Sequence, residues 1–332
     1  MHPHPLPIES TAAFVFRGQT KEYFKIWIVN LLLTLLTFGI YSAWAKVRRK
    51  KFFYEQTQFL NVPFVYHGTP LPILMGRLIL LSVVILHQHL QRVDPQFGAW
   101  GVLLLVLVLP WLIVRGLCFN HGNSSFCSIH FGFQKNYATA YLLFIVYSLL
   151  SGATFGLATP LFAQRMQKFL IQGSRFGPHT FLFQADLALF YRLFLQLFGM
   201  FCLMALAAYG LFFSGGIFTK ILIFLLLLGF FAYTSTAFFN LIWNHIQLNG
   251  HRFLAHMNAN ILFILLCQNM VAILLSGGLL IPWAQIRWIR YRLSCLKMAL
   301  IDDPNQSITT TQKKLLTIVH EKDTFLDLNV GI

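Results

Sequence analysis

The chain has 332 residues, of which 57% are apolar and only 11% charged, with 35 phenylalanines and a formal net charge of +15. That balance, with a mean hydropathy of +0.66, excludes an ordinary soluble domain, which is about 25% charged. The cations also stand in the wrong places for a nucleic-acid surface. They collect where apolar runs end, as Lys46, Arg48, Arg49, Lys50 and Lys51, as Arg165 and Lys168, and as Arg287, Arg290, Arg292 and Lys297, which is how cytoplasmic loops of membrane proteins are marked.

The first twenty residues contain no apolar stretch of the kind a cleaved signal peptide needs, so none is expected. Apolar runs long enough for a hydrocarbon core of about 30 Å follow at Phe24–Trp44, Leu71–Leu90, Ala99–Val114, Tyr137–Phe162, Ala188–Phe213, Ile221–Ile242 and Ile261–Trp283. Between them lie short aromatic pieces that alternate with period two: Phe14/Phe16, Phe64/Tyr66, Phe131/Phe133 and Phe181/Phe183. Alternation of this kind reads as half-buried strand. Open sheet edges are not tolerated in lipid, so a small cytoplasmic β layer is expected beneath the helices. The tail repeats the alternation over Phe325–Val330.

Three of the apolar runs close on the same block. Gly39 is followed nine positions later by Arg48, Gly156 by Arg165 and Gly278 by Arg287, and a threonine or serine stands just before each glycine. The blocks are 117 and 122 residues apart, so the period includes whole membrane-sized helices. Asn30 in the first unit falls on Asn269 in the third. The expected organisation is one membrane domain over residues 1–332, with units at about 14–115, 126–243 and 251–297 and a polar tail at 298–332. The expected fold class is an all-α polytopic membrane protein of about seven hydrophobic helices, with short cytoplasmic strands.

One conflict stays open at this level. The block-bearing runs are basic on both flanks, with Lys21 and Lys25 before the first and Lys46 to Lys51 after it. A full crossing leaves some of these cations outside, against the positive-inside rule. Re-entry, with helix breaks at Gly39, Gly156, Pro160, Gly278 and Pro282, removes the conflict. Crossing is nevertheless preferred, because twenty apolar residues usually span. In the re-entrant alternative two transmembrane hairpins turn near Asp94 and Ser214.

Chemistry-bearing residues are sparse. Five scattered cysteines read as free thiols, and Cys118, His121, Cys127 and His130 match no standard zinc spacing, so neither metal nor cofactor is expected. Ten acids, half of them in the last 31 residues, leave almost no place for a catalytic carboxylate pair, and enzyme activity is not expected. The candidate contacts for a solute or lipid are Trp44, Lys46, Arg48, Arg165, Trp283 and Arg287 around the blocks, Arg77 and Arg192 inside their helices, and the two asparagines Asn30 and Asn269. Their bland readings are an aromatic belt, snorkelling cations and helix-to-helix glue.

Phe16-Arg17-Gly18, the run Gly39-Ile40-Tyr41-Ser42-Ala43-Trp44-Ala45-Lys46-Val47-Arg48 and Phe64-Val65-Tyr66-His67-Gly68 resemble the YjgN family of bacterial inner-membrane proteins. Asn123-Ser124-Ser125, Phe131-Gly132-Phe133 and Pro282-Trp283-Ala284 extend the resemblance over nearly the whole chain. The family implies an inner-membrane, multi-pass location and is classed by a domain of unknown function, so it carries no site residues across. The basic ends and the tail put the C-terminus in the cytoplasm. Repeat architecture favours a transporter or channel-like permease for a small solute or lipid. The alternative is a non-transporting protein that binds anionic lipid or scaffolds partners at the cytoplasmic face, at about 1 kcal/mol per well-placed cation.

Overall fold

In a computed structural model residues 9–212 and 216–301 are described. Ten strands alternate with pairs of helices. The strands are β1 (Glu9–Phe16), β2 (Thr57–Phe59), β3 (Val62–Tyr66), β4 (Ser124–Phe126), β5 (Ile129–Phe133), β6 (Ser174–Phe176), β7 (His179–Phe183), β8 (Ile246–Leu248), β9 (His251–Ala255) and β10 (Leu296–Ile301). The helices are α1 (Thr20–Leu36), α2 (Ser42–Gln56), α3 (Pro70–Val93), α4 (Pro95–Gly122), α5 (Tyr137–Ala153, with a π turn over Leu142–Tyr147), α6 (Thr159–Gln172), α7 (Leu187–Phe212), α8 (Ile217–Trp243), α9 (Ala259–Leu275) and α10 (Ile281–Ser294).

Strands adjacent in sequence pair antiparallel, and β1 pairs with β10, so the sheet closes into a barrel. Tight turns set the register. Leu60-Asn61, Cys127-Ser128 and Asn249-Gly250 all have positive φ at both positions, the backbone that matches the right-handed twist of two paired strands. Gly177, at φ +55°, turns the remaining hairpin, β6–β7.

The same cross-strand arrangement recurs five times around the barrel. Phe14 faces Phe59, Phe64 faces Phe126, Phe131 faces Phe176, Phe181 faces Leu248 and Phe253 faces Met298. These ten side chains form one apolar layer inside the barrel. Rings in it also meet across an intervening strand: Phe14 and Phe253 lie 6.4 Å apart, Phe126 and Phe176 6.3 Å, and Phe181 and Phe253 6.5 Å. Such offset and tilted pairs at 4.5–7 Å are the favourable aromatic geometry.

At the helical end each strand pair is fastened by one backbone hydrogen bond. The amides of Arg17, His67, Gln134, Gln184 and His256 donate to the carbonyls of Gln56, Asn123, Gly173, His245 and Cys295, at 2.7 to 3.0 Å. Every helix pair therefore leaves from, and returns to, the same rim. Neighbouring pairs touch in order around it, with α2 against α3, α4 against α5, α6 against α7, α8 against α9, and α10 against α1.

Two sequence expectations are corrected here. The protein is not all-α: its strands form a closed ten-stranded antiparallel barrel, not a few short pieces. Nor does it have seven long apolar helices. Among the described residues four are long and apolar enough to cross a membrane, namely Pro70–Val93, Gly98–Gly122, Leu187–Gly210 and Ile217–Trp243. The three block-bearing runs are each split by a turn into an apolar helix of 17 residues and a more polar one of 14 or 15. At 1.5 Å per residue the apolar arm is about 25 Å long, shorter than a hydrocarbon core of about 30 Å. The strand expected over Phe325–Val330 lies outside the described residues.

Candidate functional site

The three blocks fold alike. In the first, Phe38 (φ +47°) and Gly39 (φ +91°) reverse the chain, the Gly39 amide donates to Thr34 O at 2.8 Å, and the Thr37 hydroxyl accepts from the Tyr41 amide at 2.9 Å. The second repeats this with Phe155 and Gly156, Gly156 donating to Ser151 O and the Thr154 hydroxyl accepting from the Ala158 amide. In the third, Gly277 and Gly278 turn, Gly278 donates to Ile273 O, and the Ser276 hydroxyl accepts from the Leu280 amide. The glycine is required because the residue closing a helix in this way adopts positive φ. The hydroxyl restarts the next helix. Pro160 and Pro282 sit in the first turn of α6 and α10, where the missing amide costs nothing, so both prolines start helices and the glycines provide the breaks.

The side chains at these turns are apolar and bare. Phe38 is 98% exposed, Phe155 99% and Leu275 85%. Leu36, Leu157 and Leu274 beside them are exposed as well. In water three such tips would each keep a large apolar area wet. Each wedge, made of an apolar arm, a turn and a polar arm, therefore ends in a surface suited to hydrocarbon.

The polar arms carry the cations. On α2, the Lys50 ammonium donates to Asn120 Oδ1 at 2.5 Å and lies 4.9 Å from the centre of the Tyr66 ring. Burial, and then the neighbouring Lys46 and Arg49 charges, push its pKa down to about 8. Lys46 is also lowered, by burial first and then by Arg77 and Arg49. Arg77 reaches from α3 to the Ser42 hydroxyl at the start of α2. Trp44 stacks on Tyr41 with ring centres 6.1 Å apart.

The arginines that end the blocks have three different fates. Arg287 lies 4.6 Å from the centre of the Trp283 ring and donates to Asn269 Oδ1 at 3.3 Å and to Gln268 Oε1 at 2.7 Å. Arg48 stands 6.0 Å from the Tyr41 ring centre. Arg165 makes no hydrogen bond, ion pair or ring contact with any described residue. Of the two asparagines, Asn269 is thus engaged, while the buried Oδ1 of Asn30 has no donor among the described residues. Arg192 is exposed on α7. Of the ten candidates, Arg165 lines one of the two cavities described below and the other nine line neither. Arg165 is separate from the Asn269–Arg287 pair, and the glycine blocks lie at three different tips.

Cavities open between the described helices, and two of them are lined by polar and cationic side chains. One, of about 360 Å³, opens between the arms of the second wedge and is lined by Asn136, Thr139, Tyr147, Arg165, Lys168 and Gln172, among others. The second, of about 470 Å³, lies between α6, α8 and α10, with Gln167, Phe239, Trp243, Trp288 and Arg292 in its wall. Sequence reading found Arg165 but not the rest of its cleft. Arg165 and Lys168 stand three apart on one helix, which places them on one face, and that was the available signal. The π turn beneath them leaves no comparable trace. His121 is held by Leu117 O and Ser174 Oγ, and His130 lies beside His67.

With this geometry in hand, comparison with known proteins adds the family. Residues 11–319 match the family described as bacterial protein of unknown function (DUF898). The chain belongs to that family. Three curated relatives resemble part of this DUF898 chain, each called inner membrane protein YjgN. The one from Salmonella typhimurium is 34% identical over 121 residues, which is 36% of this chain and 31% of the relative. Those from Escherichia coli K12 and O157:H7 are 29% and 28% identical over 123 residues, again 31% of each relative. The chain thus aligns with about a third of the length of the curated relatives it matches. No solved structure matches it. A membrane protein with several apolar helices is the description these findings support.

Proposed function

We propose that this DUF898 chain is a non-conducting membrane protein that engages anionic lipid at the cytoplasmic leaflet of a bacterial inner membrane. The observation that carries this reading is the pairing of bare apolar tips with cationic arms on the three wedges. An apolar tip gains by entering hydrocarbon. The cations on its return arm then lie at headgroup depth, where each is worth about 1 kcal/mol against an anionic surface. Helices α3 with α4 and α7 with α8 anchor the assembly as two transmembrane hairpins, and the barrel stands in the cytoplasm. The three wedges are internal repeats in this reading, related through their blocks and their turn geometry.

Transport receives less support. A permease of this architecture needs polar groups converging on a passage. Here the barrel interior is filled by a ten-member apolar layer, and Asn30 and Asn269 belong to separate wedges.

The test is electron paramagnetic resonance of spin-labelled phosphatidylglycerol and phosphatidylcholine with the full chain reconstituted in bilayers. The motionally restricted fraction should be larger for phosphatidylglycerol, and the difference should shrink between 0.05 and 1 M salt as the charges are screened. Equal restriction of the two lipids at low salt rejects the reading.

A further inference from the structure

We infer that the cleft between the arms of the second wedge is a site for one anionic glycerophospholipid, with its phosphate between Arg165 and Lys168. The inference rests on the lipid-engaging reading and assigns it a place. Three observations carry it.

First, the three block arginines are not equivalent. Arg287 already has an internal partner set in Asn269 and Gln268, and Arg48 stands by Tyr41. Arg165 has none among the described residues, and neither has Lys168. Both are exposed, and two cations without an internal partner, three residues apart at one concave site, are available to an external anion. An arginine fork and an ammonium point charge together suit a phosphate.

Second, the cleft is amphiphilic, as a lipid site must be. Asn136, Thr139 and Gln172 bring amide and hydroxyl side chains to its lining, and Leu143, Tyr147 and Phe169 bring apolar and aromatic ones. Asn136 also caps α5, its Oδ1 accepting from the Thr139 amide at 3.0 Å. Val146, Leu149 and Leu150 continue the apolar surface along the same arm and are exposed up to Phe155 at the tip. A free phosphate ion needs no such surface; an acyl chain does.

Third, the wall of the cleft is built differently from its two counterparts. Leu142–Tyr147 form a π turn, whereas α1 and α9 are regular over their 17 residues. The π turn brings Leu142, Leu143 and Tyr147 to line the space, and such turns are frequent at binding sites.

The experiment is native mass spectrometry of the full chain released from detergent, titrated separately with phosphatidylglycerol, phosphatidylcholine and glycerol 3-phosphate. Arg165→Gln with Lys168→Gln is compared with Arg175→Gln with Lys297→Gln, which removes the same charge from the barrel wall. The cleft variant should retain phosphatidylglycerol about tenfold less tightly, with an unchanged unfolding midpoint, and the barrel variant should bind as the parent does. Equal retention by the cleft variant, or equal weakening in the barrel variant, overturns the site. Displacement of phosphatidylglycerol by glycerol 3-phosphate at similar concentration would make the ligand a soluble phosphate and overturn the lipid assignment. A parent chain that does not prefer phosphatidylglycerol at all fails the broader reading, a result separable from failure of the cleft alone.

Discussion

Replacing Phe126 by alanine tests whether the barrel is a packed core or a conduit. Its ring is buried and meets three others, Phe64 at 4.7 Å, Phe59 at 6.0 Å and Phe176 at 6.3 Å. In a packed interior, truncating a buried phenylalanine to alanine costs about 3–5 kcal/mol, since the transfer energy of the ring and the cavity left behind add. The three lost ring pairs place the expectation toward the upper part of that range. Phe126→Leu keeps most of the volume and should cost roughly 1 kcal/mol. The assay is reversible unfolding of the purified chain in mixed micelles, followed by tryptophan fluorescence. If alanine costs less than about 1 kcal/mol, the ring borders water or lipid and not a dry core, and the non-conducting reading of the barrel is refuted with it.

The two asparagines should respond in opposite directions. Asn30→Leu relieves a buried acceptor without a donor among the described residues and should leave stability unchanged or raise it by up to about 1 kcal/mol, while Asn269→Leu strips Arg287 of a partner and should cost about 1–3 kcal/mol; parallel thermal melts decide this. Asn244→Ala should cost about 2 kcal/mol by the same assay, because its side chain both donates to Ala255 O at 3.0 Å and accepts from the Ala255 amide at 2.7 Å, tying the end of α8 to β9. Lys50 makes stability depend on alkaline pH. Its folded pKa of about 8 lies below the ordinary 10.5, so between these values the unfolded chain binds more protons and stability rises with pH. Discounted for solvent screening, the gain is about 1 kcal/mol, and melts from pH 7.5 to 10.5 should show it in the parent and lose it in Lys50→Met.

Local sequence was a good guide to what each wedge does. The Thr-Phe-Gly triplets at 37–39 and 154–156, and Ser276-Gly277-Gly278, specify a turn whose positive φ and capping hydroxyl are short-range properties, and the structure has it at all three. Of the cleft, Arg165 and its neighbour Lys168 were legible on one face of α6, whereas the opposite wall comes from α5 and the loop before it, about twenty to thirty positions earlier in the chain. Whether Arg165 stands free and Arg287 engaged depends on what the opposite arm presents, which no spacing within one helix reveals.

The sequence by itself determined that this chain belongs in a membrane, where its cations lie, and that aromatic pairs alternate between its helices. Those follow from composition and from periods of two to four residues, which act over a single turn or strand. Tertiary structure decided how many runs can cross, and that the strands close. Runs that look long enough to span are cut by a turn of two consecutive φ-positive residues, the second a glycine. Strands of three residues, such as β2 and β8, are too short to announce themselves. They exist because each is paired on both sides, and that pairing is complete only when β1 meets β10 from the far end of the described chain. Closure is a property of the whole ring of backbone hydrogen bonds, so no local window contains it.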